Sequence, residues 1–318
     1  MTLQQQIRGN RLRSGIVVFG FVLLLVLLAG LVGLALDVSL GVVALVVALL
    51  YAVFGIVRSR SLISGITHAQ PVGPDELRPL RRLVENISIG AGLPVTPELR
   101  IVDDDAPNAF AAGLRPTSSY VGVTTGLLRT MPKRELEAII AHEISHIRNR
   151  DTYLMTMATI FAGIIALIAD IGFRSLAYGG RSRKGGAIVV VLAVVGFVLA
   201  PYAALLLRMS LSRRREYLAD AGAAEILSDP EAMALALNRL ELDTTSVRYA
   251  DASTAHLWVE SPTDRVDSER RGVAALSGLF NTHPSIRTRI AALEEAGGFR
   301  LPERLPSHEP FAVELCLV

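Results

Sequence analysis

Leu136-Glu137-Ala138-Ile139-Ile140-Ala141-His142-Glu143-Ile144-Ser145-His146-Ile147-Arg148 sets two histidines and an acid inside an apolar run. Leu136, Ile139, Ile140, Ile144 and Ile147 recur at helical spacing, Thr130 offers a cap and Pro132 suits a first turn, so residues 131 to 150 are expected to be helical. Histidines four apart then project from one face, a turn apart, where both imidazoles can reach a single tetrahedral zinc ion. Glu143 projects about 100 degrees to the side. From there it can take a proton from an attacking water without becoming a ligand, which is the division of labour that hydrolysis needs. With six histidines in the chain, the pair can also be a chance feature of a helix surface, so a third ligand has to be found.

Arg215-Glu216-Tyr217-Leu218-Ala219-Asp220 lies on a stretch with no Gly or Pro between Arg208 and Ala221, and it is expected to be helical. Glu216 and Asp220 share a face there. A shell of two histidines and Glu216 leaves a fourth zinc position open for water. Asp220 would accept the free ring N–H of a ligand histidine and fix its tautomer. Taken alone, the stretch reads better as a solvated helix whose Arg213, Arg214 and Arg215 pair with these acids.

The composition of the 318 residues points to a membrane. Hydrophobic residues make up 51% and charged residues only 19%, less charge than a water-soluble globule of this size carries. A net charge of +2, with basic residues beside apolar stretches, gives no broad face for nucleic acid. The single cysteine, Cys316, cannot form an internal disulfide, which suits a reduced, cytoplasm-facing domain. Residues 15 to 36 and 38 to 57 are uncharged, separated by Asp37, and each is long enough to cross about 30 Å of hydrocarbon. They read as a transmembrane hairpin, too long and too poor in cleavage-site features for a signal peptide. Arg8, Arg11 and Arg13 precede it and Arg58 and Arg60 follow it, so both open ends are expected in the cytoplasm.

Two further apolar runs, 152 to 169 and 187 to 207, are weaker, the first short and the second containing Pro201. Arg174, Arg181, Arg183 and Lys184 between them run against the usual charge bias. This pair either enters the membrane with atypical topology or packs as buried helices, and the sequence leaves both open. Leu99 to Val102, Asn108 to Ala112 and Tyr120 to Thr124 are short strand-like runs punctuated by Asp, Pro, Gly and Ser, the pattern of a small antiparallel sheet. An extended peptide can pair with such an edge through main chain alone.

Together the two motifs resemble the HtpX-type membrane metalloproteases, relatives of the CAAX prenyl endoproteases. The resemblance extends through Ala106-Pro107-Asn108-Ala109-Phe110-Ala111-Ala112-Gly113, Val123-Thr124-Thr125-Gly126-Leu127-Leu128, and Thr282-His283-Pro284-Ser285-Ile286-Arg287-Thr288-Arg289-Ile290. It covers roughly residues 76 to 295. It implies zinc-dependent cleavage of membrane or misfolded proteins at a bacterial or archaeal inner membrane, with one zinc per chain and Glu216 as third ligand. It also implies that His283 and Arg289 lie near the attacking water, where each would donate to the oxyanion, and that Asn108, Ala109 and Phe110 form the substrate-pairing edge. Without it, His283 caps a helix, Arg289 is solvated and Phe110 is ordinary core.

The expected fold is therefore a mainly α membrane protein with a small antiparallel sheet. Residues 1–60 form the hairpin, 61–151 and 208–295 the two parts of a zincin-like catalytic domain, 152–207 an apolar helix pair between them, and 296–318 a tail that resembles nothing. The expected partners are extended polypeptides and the bilayer, without nucleic acid. A non-cutting scaffold with structural zinc would show a fourth protein ligand. A prenyl endoprotease would carry more apolar runs than these four.

Overall fold

The computed structural model describes residues 3–73, 75–178, 191, 193–200, 203, 213–245, 247–248, 257–259, 284–302 and 309–311. The chain divides into two compact units, Met1–Ser59 with Thr156–Leu211, and Arg60–Met155 with Ser212–Val318.

In the first unit α1 (Leu3–Ala35) and α2 (Val38–Val57) form a helical hairpin. Asp37 starts α2 by accepting the Ser39 N–H at 2.9 Å, satisfying one of the donors that a helix start leaves open. A Cβ on Gly41 would lie 2.7 Å from Gly33 Cα and 2.9 Å from the Ala29 carbonyl, so the two backbones touch where only glycine fits. Phe19, Leu27, Leu34, Val43, Leu50 and Phe54 are exposed, an outward apolar surface that a lipid solvent accepts and water does not. Val18–Ala35, Val38–Val57 and Asp151–Arg174 are long and apolar enough to cross a membrane. The last belongs to α7 (Asp151–Tyr178), which runs past the expected 152–169 because Asp170 and Arg174 pair one turn apart at 2.8 Å and let the helix continue through charge. Of the fourth apolar run only residues 191, 193–200 and 203 are described, all helical, and the rest lies outside the described residues.

The second unit holds α3 (Ser59–Thr67), β1 (Gln70–Pro71), α4 (Arg78–Gly90), β2 (Glu98–Val102), β3 (Ala109–Ala112), β4 (Tyr120–Thr124), α5 (Thr125–Thr130) and α6 (Lys133–Arg148). It is completed by helices here numbered α8 (Arg213–Leu227), α9 (Pro230–Leu242) and α10 (Ile286–Gly297). The sheet order is β1-β2-β4-β3. The sheet is mixed and not antiparallel as the turn-punctuated runs predict, since β2 and β4 run parallel with Leu99 opposite Val121. The chain leaves β2, passes over the place β4 will take, and returns along β3, so β4 inserts between them. Short runs with turn residues between them look like hairpins, and nothing local marks this crossing. Both β3 and β4 are buried at every residue, and the Phe110 ring lies against Gly122, where a Cβ would meet it at 2.4 Å.

The centre of this unit is α6. Leu136, Ile139, Ile140, Ile144 and Ile147 are all fully buried, the stripe expected from their spacing. Pro132 stands at its N-cap, whereas Thr130 ends α5 with its hydroxyl donating to the Gly126 carbonyl at 2.8 Å. Phe311, from the tail, is buried in the same core and donates its N–H to the Met131 carbonyl at 2.8 Å.

Candidate metal centre

Two helices build the site. His142 and His146 point from α6 with their Nε2 atoms 3.2 Å apart. Glu216, in the first turn of α8, brings Oε2 to 3.7 Å from His142 Nε2 and Oε1 to 3.6 Å from His146 Nε2. Ligands bonded to zinc at 2.0–2.2 Å in a tetrahedron stand about 3.3–3.6 Å from one another. The donor set therefore fits such an ion. All three residues are buried, His142 at 0%, His146 at 4% and Glu216 at 1% exposure, so the cluster is no chance grouping of surface acids.

Close approach of the helices depends on Gly222. A Cβ there would lie 2.0 Å from Ser145 Oγ and 3.0 Å from Ser145 Cβ, so α8 presses on α6 one face away from Glu216. Gly222→Ala is expected to cost about 1–3 kcal/mol of stability by overpacking, with Ser145→Ala restoring part of it. Urea unfolding of the single and double variants checks this, and an unaltered single variant defeats it.

Behind each histidine stands a carboxylate. Asp220 Oδ1 lies 3.0 Å from His142 Nδ1. Asp151 Oδ2 lies 3.2 Å from His146 Nδ1. Sequence reasoning missed Asp151, five residues beyond His146 in a position that reads as a helix start; Arg150, at φ 62, turns the chain so that this start faces back to the site. Arg215 Nε reaches Asp151 Oδ1 at 3.5 Å.

Arg289 is buried at 1% exposure in α10. Its guanidinium donates to both Asp220 oxygens at 2.8 and 2.6 Å, lies 3.3 Å from Glu216 Oε2, and donates to the Val259 carbonyl at 3.2 Å. Burial raises the Asp220 carboxyl, but Arg289 overrides it and holds the group below the usual carboxylate range. Burial pulls the His142 imidazole down against the pull of Asp220. His146 goes the other way: burial opposes its charge, yet Asp151 and Glu216 raise it to about 9. Burial pushes the Glu143 carboxyl up to about 8, and the backbone of Ala111 is hydrogen bonded to it. The Glu143 Oε2 atom is buried and meets no hydrogen-bond partner among the described residues.

His283 lies outside the described residues. Asn108, Ala109 and Phe110 stand at the outer end of the sheet beside α6, and their edge is covered. Val259 donates its N–H to the Ala109 carbonyl at 3.0 Å, Trp258 bridges to Phe110 in antiparallel sense, and the two rings pack at a tilt of 58° with centroids 4.7 Å apart. Asn108 turns its side-chain oxygen to the Ala109 N–H at 3.0 Å. Neither this covering segment nor the commitment of Arg289 was legible in the sequence.

Two helices that converge on a buried pair of imidazoles and a carboxylate, with a second glutamate one position along from the first histidine, define a metallopeptidase. Residues 74–297 match Peptidase family M48, and the chain belongs to that family. It is 35% identical to the Protease HtpX homolog of Limosilactobacillus fermentum over 92% of this chain and 99% of that protein. It is 40% identical to the Protease HtpX homolog of Thermoanaerobacter pseudethanolicus over 71% of this chain and 74% of that protein. The crystal structure of S. mikatae Ste24p aligns with a TM-score of 0.46 and 18% identity, covering 77% of this chain and 55% of that one. The chain is a membrane metallopeptidase, and its substrates are polypeptides.

Proposed function

We propose that the chain is a zinc-dependent endopeptidase of the cytoplasmic membrane, with its catalytic unit in the cytoplasm, cutting extended segments of membrane or misfolded proteins. The convergence of His142, His146 and Glu216 to 3.2–3.7 Å with a carboxylate behind each imidazole carries the reading. Two imidazoles and one carboxylate are a donor set that suits zinc. When bound, zinc would polarise the scissile carbonyl and make water acidic enough to attack near neutral pH.

The chain's own groups do the rest. Asp220 and Asp151 face the Nδ1 atoms of His142 and His146 and favour a proton there, and a divalent cation would displace the proton that His146 otherwise keeps on Nε2, so that both Nε2 atoms could hold it. Glu143, with Oε2 open, takes the proton of the attacking water and returns it to the leaving amine. A divalent cation beside this carboxyl favours its ionised form and so offsets the upward push of burial. Arg289 holds Asp220 with two donors and stands beside Glu216, so it positions these carboxylates, and oxyanion donation is assigned to His283. Residues 1–60 anchor the chain, and Arg58 and Arg60 keep its catalytic unit on the cytoplasmic side.

Purified full-length protein is expected to carry one zinc per chain and to cleave casein. A strong chelator should remove both metal and activity, and added zinc should restore them. Cleavage that survives complete metal removal refutes the reading. Asp151→Asn is expected to weaken zinc retention by about 10–100-fold in chelator competition, with Asp151→Glu recovering part. Equal retention in Asp151→Asn removes that residue from the account.

A further inference from the structure

The segment Leu257-Trp258-Val259 is held as a bound peptide would be. It lies antiparallel to β3 with the Val259 N–H on the Ala109 carbonyl at 3.0 Å, while the Val259 carbonyl accepts from Arg289 at 3.2 Å. The same guanidinium clamps Asp220 and Glu216, so this short strand spans the gap between the sheet edge and the metal centre. All three residues are buried, Leu257 at 3%, Trp258 at 0% and Val259 at 3% exposure. One group in it is poorly served: the Trp258 Nε1 atom is buried with no hydrogen-bond partner among the described residues, whereas a buried indole N–H normally finds an acceptor.

We propose that residues 257–259 are a resident pseudosubstrate, which an extended polypeptide must displace from the β3 edge before it can be cut. This rests on the peptidase reading above and adds its regulation and substrate class. An incoming segment takes over the two main-chain anchors, the Ala109 carbonyl and the Arg289 guanidinium, neither of which reads a side chain. It also fills the space of the Trp258 ring against Phe110 and Tyr120, whose ring centroids are 5.8 Å apart. The favoured segment is therefore extended and carries a bulky apolar residue at that register, a chemistry that folded soluble proteins keep inside and that unfolded or extracted membrane proteins expose. The unserved indole N–H weakens the resident strand relative to a substrate whose side chain has no buried donor.

Trp258 is the single tryptophan of the chain and reports on itself. The full-length Glu143→Gln protein, zinc-loaded in lipid nanodiscs, is titrated with a labelled, tryptophan-free unfolded polypeptide, following both label anisotropy and Trp258 emission. The expected result is a red shift and several-fold stronger iodide quenching of Trp258, saturating together with peptide binding. Binding that leaves emission and quenching unchanged overturns the proposal. Absence of any binding by the zinc-loaded protein overturns the peptidase reading, and this inference with it. A second measurement uses Ala109→Cys with Val259→Cys in a Cys316→Ser background, positions that face one another across the pairing. Oxidation to the crosslinked form is expected to block casein cleavage, with reductant restoring it in the same sample. Cleavage by the oxidised sample that equals the parent protein's shows a permanent strand and overturns displacement.

Discussion

Glu143→Gln is expected to lower peptide cleavage by about 10²–10⁴-fold while leaving the zinc content unchanged, the range that a positioned general base contributes. The substitution keeps the shape and burial of the side chain and removes only its capacity to carry a proton. His142, His146 and Glu216 hold their mutual distances of 3.2–3.7 Å without help from Glu143, so the ligands have no reason to move. Metal analysis beside casein turnover checks both halves. Undiminished turnover removes Glu143 from the chemistry, and a loss of zinc equal to the loss of activity would make it a ligand instead.

The other large effect is expected from Arg289→Leu, at about 3–5 kcal/mol of destabilisation, because it strands the buried charge that the arginine neutralises. Asp220 loses a bidentate partner at 2.8 and 2.6 Å and Glu216 a neighbour at 3.3 Å, both within the core. Urea unfolding of chelated protein measures it, and a difference below about 1 kcal/mol, the scale of an exposed ion pair, refutes it. The pH dependence has a defined sign. Burial raises the Asp220 carboxyl and Arg289 outweighs it, so the folded-state value lies below the unfolded one of about 3.9. The stabilisation is thus present above that unfolded value and lost as pH falls through the folded one. In the variant the stranded carboxyl takes up a proton more readily, so the gap to the parent protein narrows on acidification.

Local periodicity was enough to find the helix that carries the histidines, because its apolar stripe and its metal-facing residues obey one 3.6-residue repeat. Composition was enough for the apolar hairpin, since lipid demands an uninterrupted run. Glu216 stood on weaker ground: an acid behind three arginines looks solvated until α6 is known to pack against it, and only resemblance singled it out. Asp151, the Arg289 clamp and the strand at 257–259 were not visible, each being defined by a partner distant in sequence or reached through a turned backbone such as that of Arg150. The parallel pairing of β2 with β4 escaped for the same reason. Strand runs declare their existence locally and their neighbours only globally.

His142 and His146 are made before the apolar insert, and Glu216 after it. A ribosome that has released residues through 207 has therefore produced a nascent chain with only two of the three side chains that could hold a metal ion. Proteolytic competence arrives only after the insert has been synthesised. Until residue 216 emerges, the third side chain of the cluster is missing. Arrested chains ending at 207 should bind no zinc at concentrations that saturate the finished protein.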